Sequence, residues 1–220
     1  TAATIPFLSN VLNMIDMVEF GTPEQIQLTM DLYKRTGMPS FSLAISEPQA
    51  GSDNWSMTTV ARQRNGKVYL KGTKTFVTHG PLAPYILVLA KDEDPDVNNR
   101  SMSMWLFSQD LPGVKWSQLH KIGQHTTNFC ELYLDDVEIE ESCLVGERGK
   151  GFIQLMKNFE VERLLICAYC LGLAQAAMED AAAYANERKQ FGKTIGSYQL
   201  VQEMLTDMEV KILNMRNLLF

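Results

Sequence analysis

The sequence predicts an α+β multi-domain chain: a helical N-terminal remnant, an antiparallel β-barrel-like middle domain, and the start of a C-terminal helical bundle. Three observations predict it. Residues 1–34 carry helical periodicity with a Thr22-Pro23-Glu24 helix start. From Phe41 to about Val145 the pattern changes to short β-branched and aromatic runs, with a hairpin signal at Asn65-Gly66. After Gly146 and the turn-like ERGKG, helical periodicity returns. Domain bounds follow at 1–38, 39–148 and 149–220.

The middle strands are expected in SMTTVARQ, KVYLKG, TKTFVTHG, YILVLAK and MSMWLF, separated by polar turns in the manner of a barrel or sandwich. The first helix of the last region is expected from Phe152 to about Lys189, with Gly192 as its stop and a restart at Ser197. Leu200, Met204, Met208, Ile212 and Met215 recur at helical spacing and are expected to pack in a core. The chain opens without Met and stops on NMRNLLF in mid-pattern, so both ends are expected to be cut.

The 220 residues are 45% hydrophobic and 21% charged, which is enough apolar content for one or two cores. A net charge of −6 with no basic cluster argues against nucleic acid and against an anionic membrane surface. Apolar stretches such as Leu164 to Leu173 are too short to span a bilayer, so no membrane segment is expected. Cys130, Cys143, Cys167 and Cys170 are too few for a disulfide scaffold and suit a reducing compartment. Cys167 and Cys170 fall mid-helix, where the expectation is two small buried residues one turn apart and not a redox pair. His79, His120 and His125 lack paired metal-ligand spacing, and no nucleophile elbow is present, so no metal site is expected.

Four segments combine residue types that chemistry uses. Ile45-Ser46-Glu47-Pro48-Gln49-Ala50-Gly51-Ser52-Asp53 ends a strand in a turn dense with hydroxyls, able to meet the polar edge of a flat ligand. Its structural alternative is a tight turn with Asp53 capping the next segment. Phe76-Val77-Thr78 places an aromatic and a hydroxyl two apart on one strand face, a stacking and hydrogen-bonding pair or an ordinary half-buried strand. Phe159-Glu160-Val161-Glu162-Arg163 sets an aromatic, a carboxylate and a guanidinium on one side of a helix, where a surface ion pair is the alternative. Arg188-Lys189-Gln190-Phe191-Gly192 puts cations at a helix end, which suits the helix dipole with or without a ligand.

In this order the segments resemble the acyl-CoA dehydrogenase family. ISEPQAGSD is similar to its TEPxAGSD signature, RKQFGKTI to its RxxFGxxI segment, and FEVERLL to the helix that carries the base of isovaleryl-CoA dehydrogenase. GTPEQIQ, NGKVYLKGTKTF and the FxxER helix most resemble crotonobetainyl-CoA reductase. The resemblance covers essentially the whole chain and implies FAD as cofactor, an acyl-CoA or enoyl-CoA substrate, electron-transfer flavoprotein as partner and a homo-oligomer. It implies a bacterial cytoplasmic or eukaryotic mitochondrial-matrix location.

Residue by residue, the resemblance implies that Leu43, Ile45, Ser46 and Ser52 line the flavin, with the Ser46 hydroxyl at the pyrimidine end and Ser52 near the thioester arm. It implies Phe76 against the isoalloxazine and Thr78 at flavin N5, with His79 in place of a usual Asn or Ser. Arg188, Gln190, Phe191 and Gln199 are implied in binding FAD, the first two at the pyrophosphate of a neighbouring subunit's cofactor. The isovaleryl-CoA dehydrogenase likeness implies Glu162 as the base, whereas many members of the family carry theirs late in the C-terminal bundle, beyond residue 220; Phe159, Glu160 and Arg163 are implied to border the CoA or acyl path. The rival readings are an acyl-CoA oxidase or flavin monooxygenase on the same fold, or a non-enzymatic homologue.

Overall fold

The computed structural model describes residues 4–93 and 101–220. Positions 1–3 of the expected first helix and positions 94–100 of the middle region lie outside the described residues. The chain divides into two compact units, 2–159 and 160–220.

The first unit opens with two helices, α1 (Thr4–Phe20) and α2 (Pro23–Thr36). Thr22 caps α2 as its sequence requires: its hydroxyl accepts from Gln25 N–H, while the Gln25 side chain accepts from Thr22 N–H at 3.0 Å. The same Gln25 amide donates to the carbonyls of Ser142 and Leu144, tying α2 to a connection far along the chain.

Among the described residues eight strands follow: β1 (Phe41–Ala44), β2 (Val60–Arg64), β3 (Lys67–Thr78), β4 (Tyr85–Asp92), β5 (Met102–Ser108), β6 (Val114–Gln118), β7 (Phe129–Ile139) and β8 (Leu144–Val145). They form one sheet in the order β6-β7-β3-β2-β4-β5-β8, with β1 alongside β4. The pairing is antiparallel as expected except at β1–β4 and β2–β4, which are parallel. Asn65 and Gly66 both take positive φ and join β2 to β3 in the two-residue turn that their sequence calls for.

The YILVLAK run does not alternate because β4 is covered on both faces. Ile86, Val88 and Ala90 pack with Trp105, Phe107 and Leu132 on one side; Leu87 and Leu89 pack with Met17, Met104 and Leu155 on the other. Each Ile, Val, Leu, Met or Phe side chain among them contributes roughly 1.5–3 kcal/mol on leaving water. Arg148 closes one edge, its guanidinium 5.1 Å from the Trp105 ring centroid.

Helix α3 (Gly151–Glu187) begins in this unit and runs on into the second, which adds the hairpin β9–β10 (Lys189–Gln190, Lys193–Thr194) and α4 (Gln199–Leu219). Several expectations change here. Gly192 is not the helix stop: α3 ends at Glu187, and Phe191-Gly192, both at positive φ, form the hairpin turn. The two cysteines Cys167 and Cys170 are exposed, not buried. Of the apolar stripe on α4, Ile212 is buried, but Leu200 is 75% and Met204 58% exposed, because two helices and a hairpin cannot cover every face of one another. α3 is also long and apolar enough to cross a membrane by length and composition alone, because its Ala, Cys and Gly residues join the short apolar stretches into one low-charge window.

Candidate functional site

Strand β1 ends at Ala44, and the chain turns back on itself at once: Glu47 N–H donates to Ala50 O at 2.8 Å and Ala50 N–H to Glu47 O at 3.1 Å. Asp53 accepts from Trp55 N–H and caps a short 3₁₀ turn, so the capping reading of this loop is correct alongside any ligand role. Ser46 is half-buried on the inner side of the turn and Ser52 exposed on its outer side. Leu43 and Ile45 turn their side chains into the core shared with the helices, which leaves backbone as their exposed chemistry.

The end of β3 meets this loop. Thr75 N–H donates to Ser46 O at 2.8 Å. The β3–β7 register slips between Lys74 and Val77, a bulge that breaks the alternation of inward and outward side chains. At the bulge Phe76 takes φ +59°, a conformation that bulky L residues rarely occupy, and its ring is 61% exposed. The ring stacks on Phe129, itself the register partner of Thr78. The fold therefore brings Ser46, Phe76 and Thr78 to one sheet end. Among the described residues neither the Ser46 nor the Thr78 hydroxyl has a protein partner. Two free hydroxyls flanking an exposed aromatic face fit a flat ring system with hydrogen-bonding edges.

Beneath this ledge lies an ion pair between two fully buried side chains, Lys74 Nζ and Glu47 Oε1, at 2.9 Å. Glu47 also accepts from the backbone N–H groups of Thr58 and Thr59, from the Thr58 hydroxyl and from the Gln49 amide. Burial by itself would raise the Glu47 carboxyl, but the Lys74 charge and these donors outweigh it and hold it at about 2. Burial pulls Lys74 down to about 8 against the attraction of Glu47. Sequence reasoning assigned neither residue a role. The alternation of β3 did contain the signal: Val68 and Leu70 face inward, and two steps of two further lies Lys74.

His79, next along the strand end, also has positive φ and a buried ring whose Nε2 lacks a partner among the described residues. Burial and then the nearby Lys121 charge push its pKa below the ordinary 6.5.

Around the end of the first unit, Phe159 is half-buried against its core. In the second unit, Glu160 and Arg163 are exposed and Glu162 is half-buried on α3. Burial raises the Glu162 carboxyl, opposed by the Arg163 charge. Arg188, Gln190, Phe191 and Gln199 fall within one exposed segment, with Phe191 at the hairpin tip 95% exposed. Tyr198 braces that hairpin by donating to Gln190 O at 2.9 Å.

Comparison with known proteins identifies the family of this helix-flanked sheet. The acyl-CoA dehydrogenase middle-domain model matches residues 42–137, and that family's C-terminal-domain model matches residues 149–220. A probable acyl-CoA dehydrogenase of Escherichia coli strain K12, YdiO, is 50% identical over 202 residues, 92% of this chain and 53% of its own length. Butyryl-CoA dehydrogenase from Megasphaera elsdenii superposes with a TM-score of 0.91 at 30% identity, covering 99% of this chain and 57% of that one. An acyl-CoA dehydrogenase from Bacillus anthracis in complex with FAD superposes at 0.81 and 29% identity, covering 90% of this chain and 33% of that one. The chain belongs to the acyl-CoA dehydrogenase family. It spans about half the length of the curated relatives it matches. FAD, the cofactor expected from the sequence, is the cofactor bound in that solved relative.

Proposed function

We propose that the protein is an FAD-dependent oxidoreductase that acts on CH–CH bonds of acyl-CoA, as a dehydrogenase of saturated thioesters or, in reverse, as an enoyl-CoA reductase of the crotonobetainyl-CoA reductase type. The observation that carries this reading is the meeting of Ser46, Phe76 and Thr78 at one sheet end, with both hydroxyls free and the ring exposed. In this proposal the three-part division 1–38, 39–148 and 149–220 stands, with the middle part holding the flavin.

When bound, FAD supplies the two-electron acceptor or donor for the β hydride. The chain's own residues supply the rest. The Ser46 hydroxyl would serve the pyrimidine edge, Phe76 would cover the ring, and Thr78 would hydrogen-bond at N5. Leu43 and Ile45 contribute backbone, and Ser52 lies near the thioester. Glu162 takes the α proton, or returns it in the reductive direction. Its raised pKa favours this role, because a base closer to neutrality holds the proton it abstracts more readily. Phe159, Glu160 and Arg163 border the acyl path. Arg188 and Gln190, with Phe191 packed beside them, would bind the pyrophosphate of a second copy's FAD, in a homo-oligomer, and Gln199 would also bind FAD. Electron-transfer flavoprotein is the proposed redox partner.

The test is anaerobic. FAD in the whole protein is expected to bleach with one member of a panel of saturated acyl-CoA thioesters, or to reoxidise from its reduced form with one enoyl-CoA. Glu162→Gln is expected to keep the flavin and abolish that change. A flavin indifferent to every thioester overturns the proposal, and bleaching retained in Glu162→Gln removes Glu162 from it.

A further inference from the structure

We propose that the buried Lys74–Glu47 pair is a positioning device for the flavin, fixing the 45–50 loop against the β3 bulge so that the Ser46 hydroxyl and the Phe76 ring face the ligand together. The inference rests on the FAD-binding reading of the site.

The geometry is specific to the loop. Lys74 Nζ reaches two acceptors of it, Glu47 Oε1 at 2.9 Å and Ile45 O at 2.9 Å. The next residue along the strand, Thr75, donates from its backbone to Ser46 O. The carbonyls on both sides of the Ser46 Cα are thus held by consecutive residues of β3, immediately before the strained Phe76. On the other side, Glu47 collects the 58–59 backbone and the Thr58 hydroxyl, so one carboxylate joins three segments: the loop, the entry to β2 and the end of β3.

Stability alone does not call for this arrangement. A buried ion pair costs heavily in desolvation, and well-packed apolar replacements are often as stable or more so. What an uncharged pair cannot supply is the same set of directed bonds. Lys74 is the donor to Ile45 O, and Glu47 accepts from five donors, counting Lys74, Gln49, Thr59 and both groups of Thr58. Without them Ser46 is held to β3 only through the Thr75 N–H bond to its carbonyl, and its side chain can turn away from Phe76 while the sheet core stays intact.

The experiment uses the whole protein and the double variant Glu47→Gln/Lys74→Met, which removes both charges together and leaves no lone buried ion. Far-UV circular dichroism and a thermal melt of the apoprotein report the fold. FAD titration reports affinity, and the visible absorption bands and reduction potential of bound flavin report its environment. The expected result is a cooperative melt like that of wild type, an FAD Kd raised at least tenfold, and shifted flavin bands. Wild-type affinity with wild-type bands overturns the proposal. Should the double variant not fold, Thr58→Val carries the test: this exposed position loses its hydroxyl donor to Glu47 and the acceptor of the Gln49 amide, while its backbone N–H bond to Glu47 stays. A Kd raised several-fold is then expected, and an unchanged Kd overturns the inference. Wild-type protein that takes up no FAD defeats the functional reading and this inference with it, whereas wild type that binds and variants that bind equally defeat this inference alone.

Discussion

The Phe76 ring lies over the Phe129 ring with centroids 5.5 Å apart and planes inclined by 18°, although Phe76 sits at φ +59°. The stack is worth roughly 0.5–1.5 kcal/mol, about what a left-handed L residue costs. The two nearly cancel, and the strain at this position serves exposure of the ring. Phe76→Gly is therefore expected to melt within a few degrees of wild type while losing at least tenfold in FAD affinity. Equal FAD affinity, measured by titration of the apoprotein, counts against a stacking role for Phe76.

Gly72 has a different constraint. A Cβ there would lie 2.3 Å from Thr59 Oγ1 and 2.6 Å from Thr59 Cα, so a methyl group meets backbone that cannot swing aside. Thr59 N–H is one of the donors to Glu47. Gly72→Ala is expected to lower stability by roughly 2–4 kcal/mol through overpacking and an unfavourable backbone conformation, read as a depressed denaturant midpoint. A midpoint unchanged within error would mean that β3 moves away from β2 without cost.

Acid should release the buried pair. A carboxyl ordinarily at 4.5 and held at about 2 in the fold contributes stability above pH 4.5 that is lost as pH falls toward 2. At about 1.4 kcal/mol per pH unit the loss is about 3 kcal/mol. Lys74 stays protonated throughout that range. Urea denaturation at pH 5 and pH 3 should show a steeper loss in wild type than in Glu47→Gln/Lys74→Met, and parallel losses would contradict the assignment.

His79 acts in a second window. Its folded pKa lies below the ordinary 6.5, so the unfolded chain binds the proton first. The stability of the neutral buried ring is complete above pH 6.5 and declines as pH falls toward the depressed folded value. His79→Phe is expected to flatten the change in melting temperature between pH 7.5 and pH 5.5. An identical pH response in the variant would show that other groups set it.

How much of this was legible in the sequence follows from range. Local signals were dependable: Thr22 caps α2, Asn65-Gly66 turns β2 into β3, and the ISEPQAGSD loop ends a strand and caps the next turn. Each is settled by dihedral preferences and hydrogen bonds within a few residues. The Phe191-Gly192 pair suits a helix stop by sequence and is a hairpin turn in the structure, because positive φ serves both and only the pairing of Lys189 with Thr194 separates them. Cys167, Cys170, Leu200 and Met204 are exposed on the second unit although their spacing predicts burial, since periodicity names an apolar face and not what covers it.

The sequence alone determined the order of helix, sheet and helix and the family likeness, because these depend on local pattern and on motifs contiguous in the chain. Tertiary structure decided the parallel pairing of β1 with β4, the bulge that turns Phe76 outward, and the burial of Lys74 against Glu47. Each of those depends on residues tens of positions apart meeting at one place, where the desolvation of a charge or the slip of a register is set by neighbours that no local window contains.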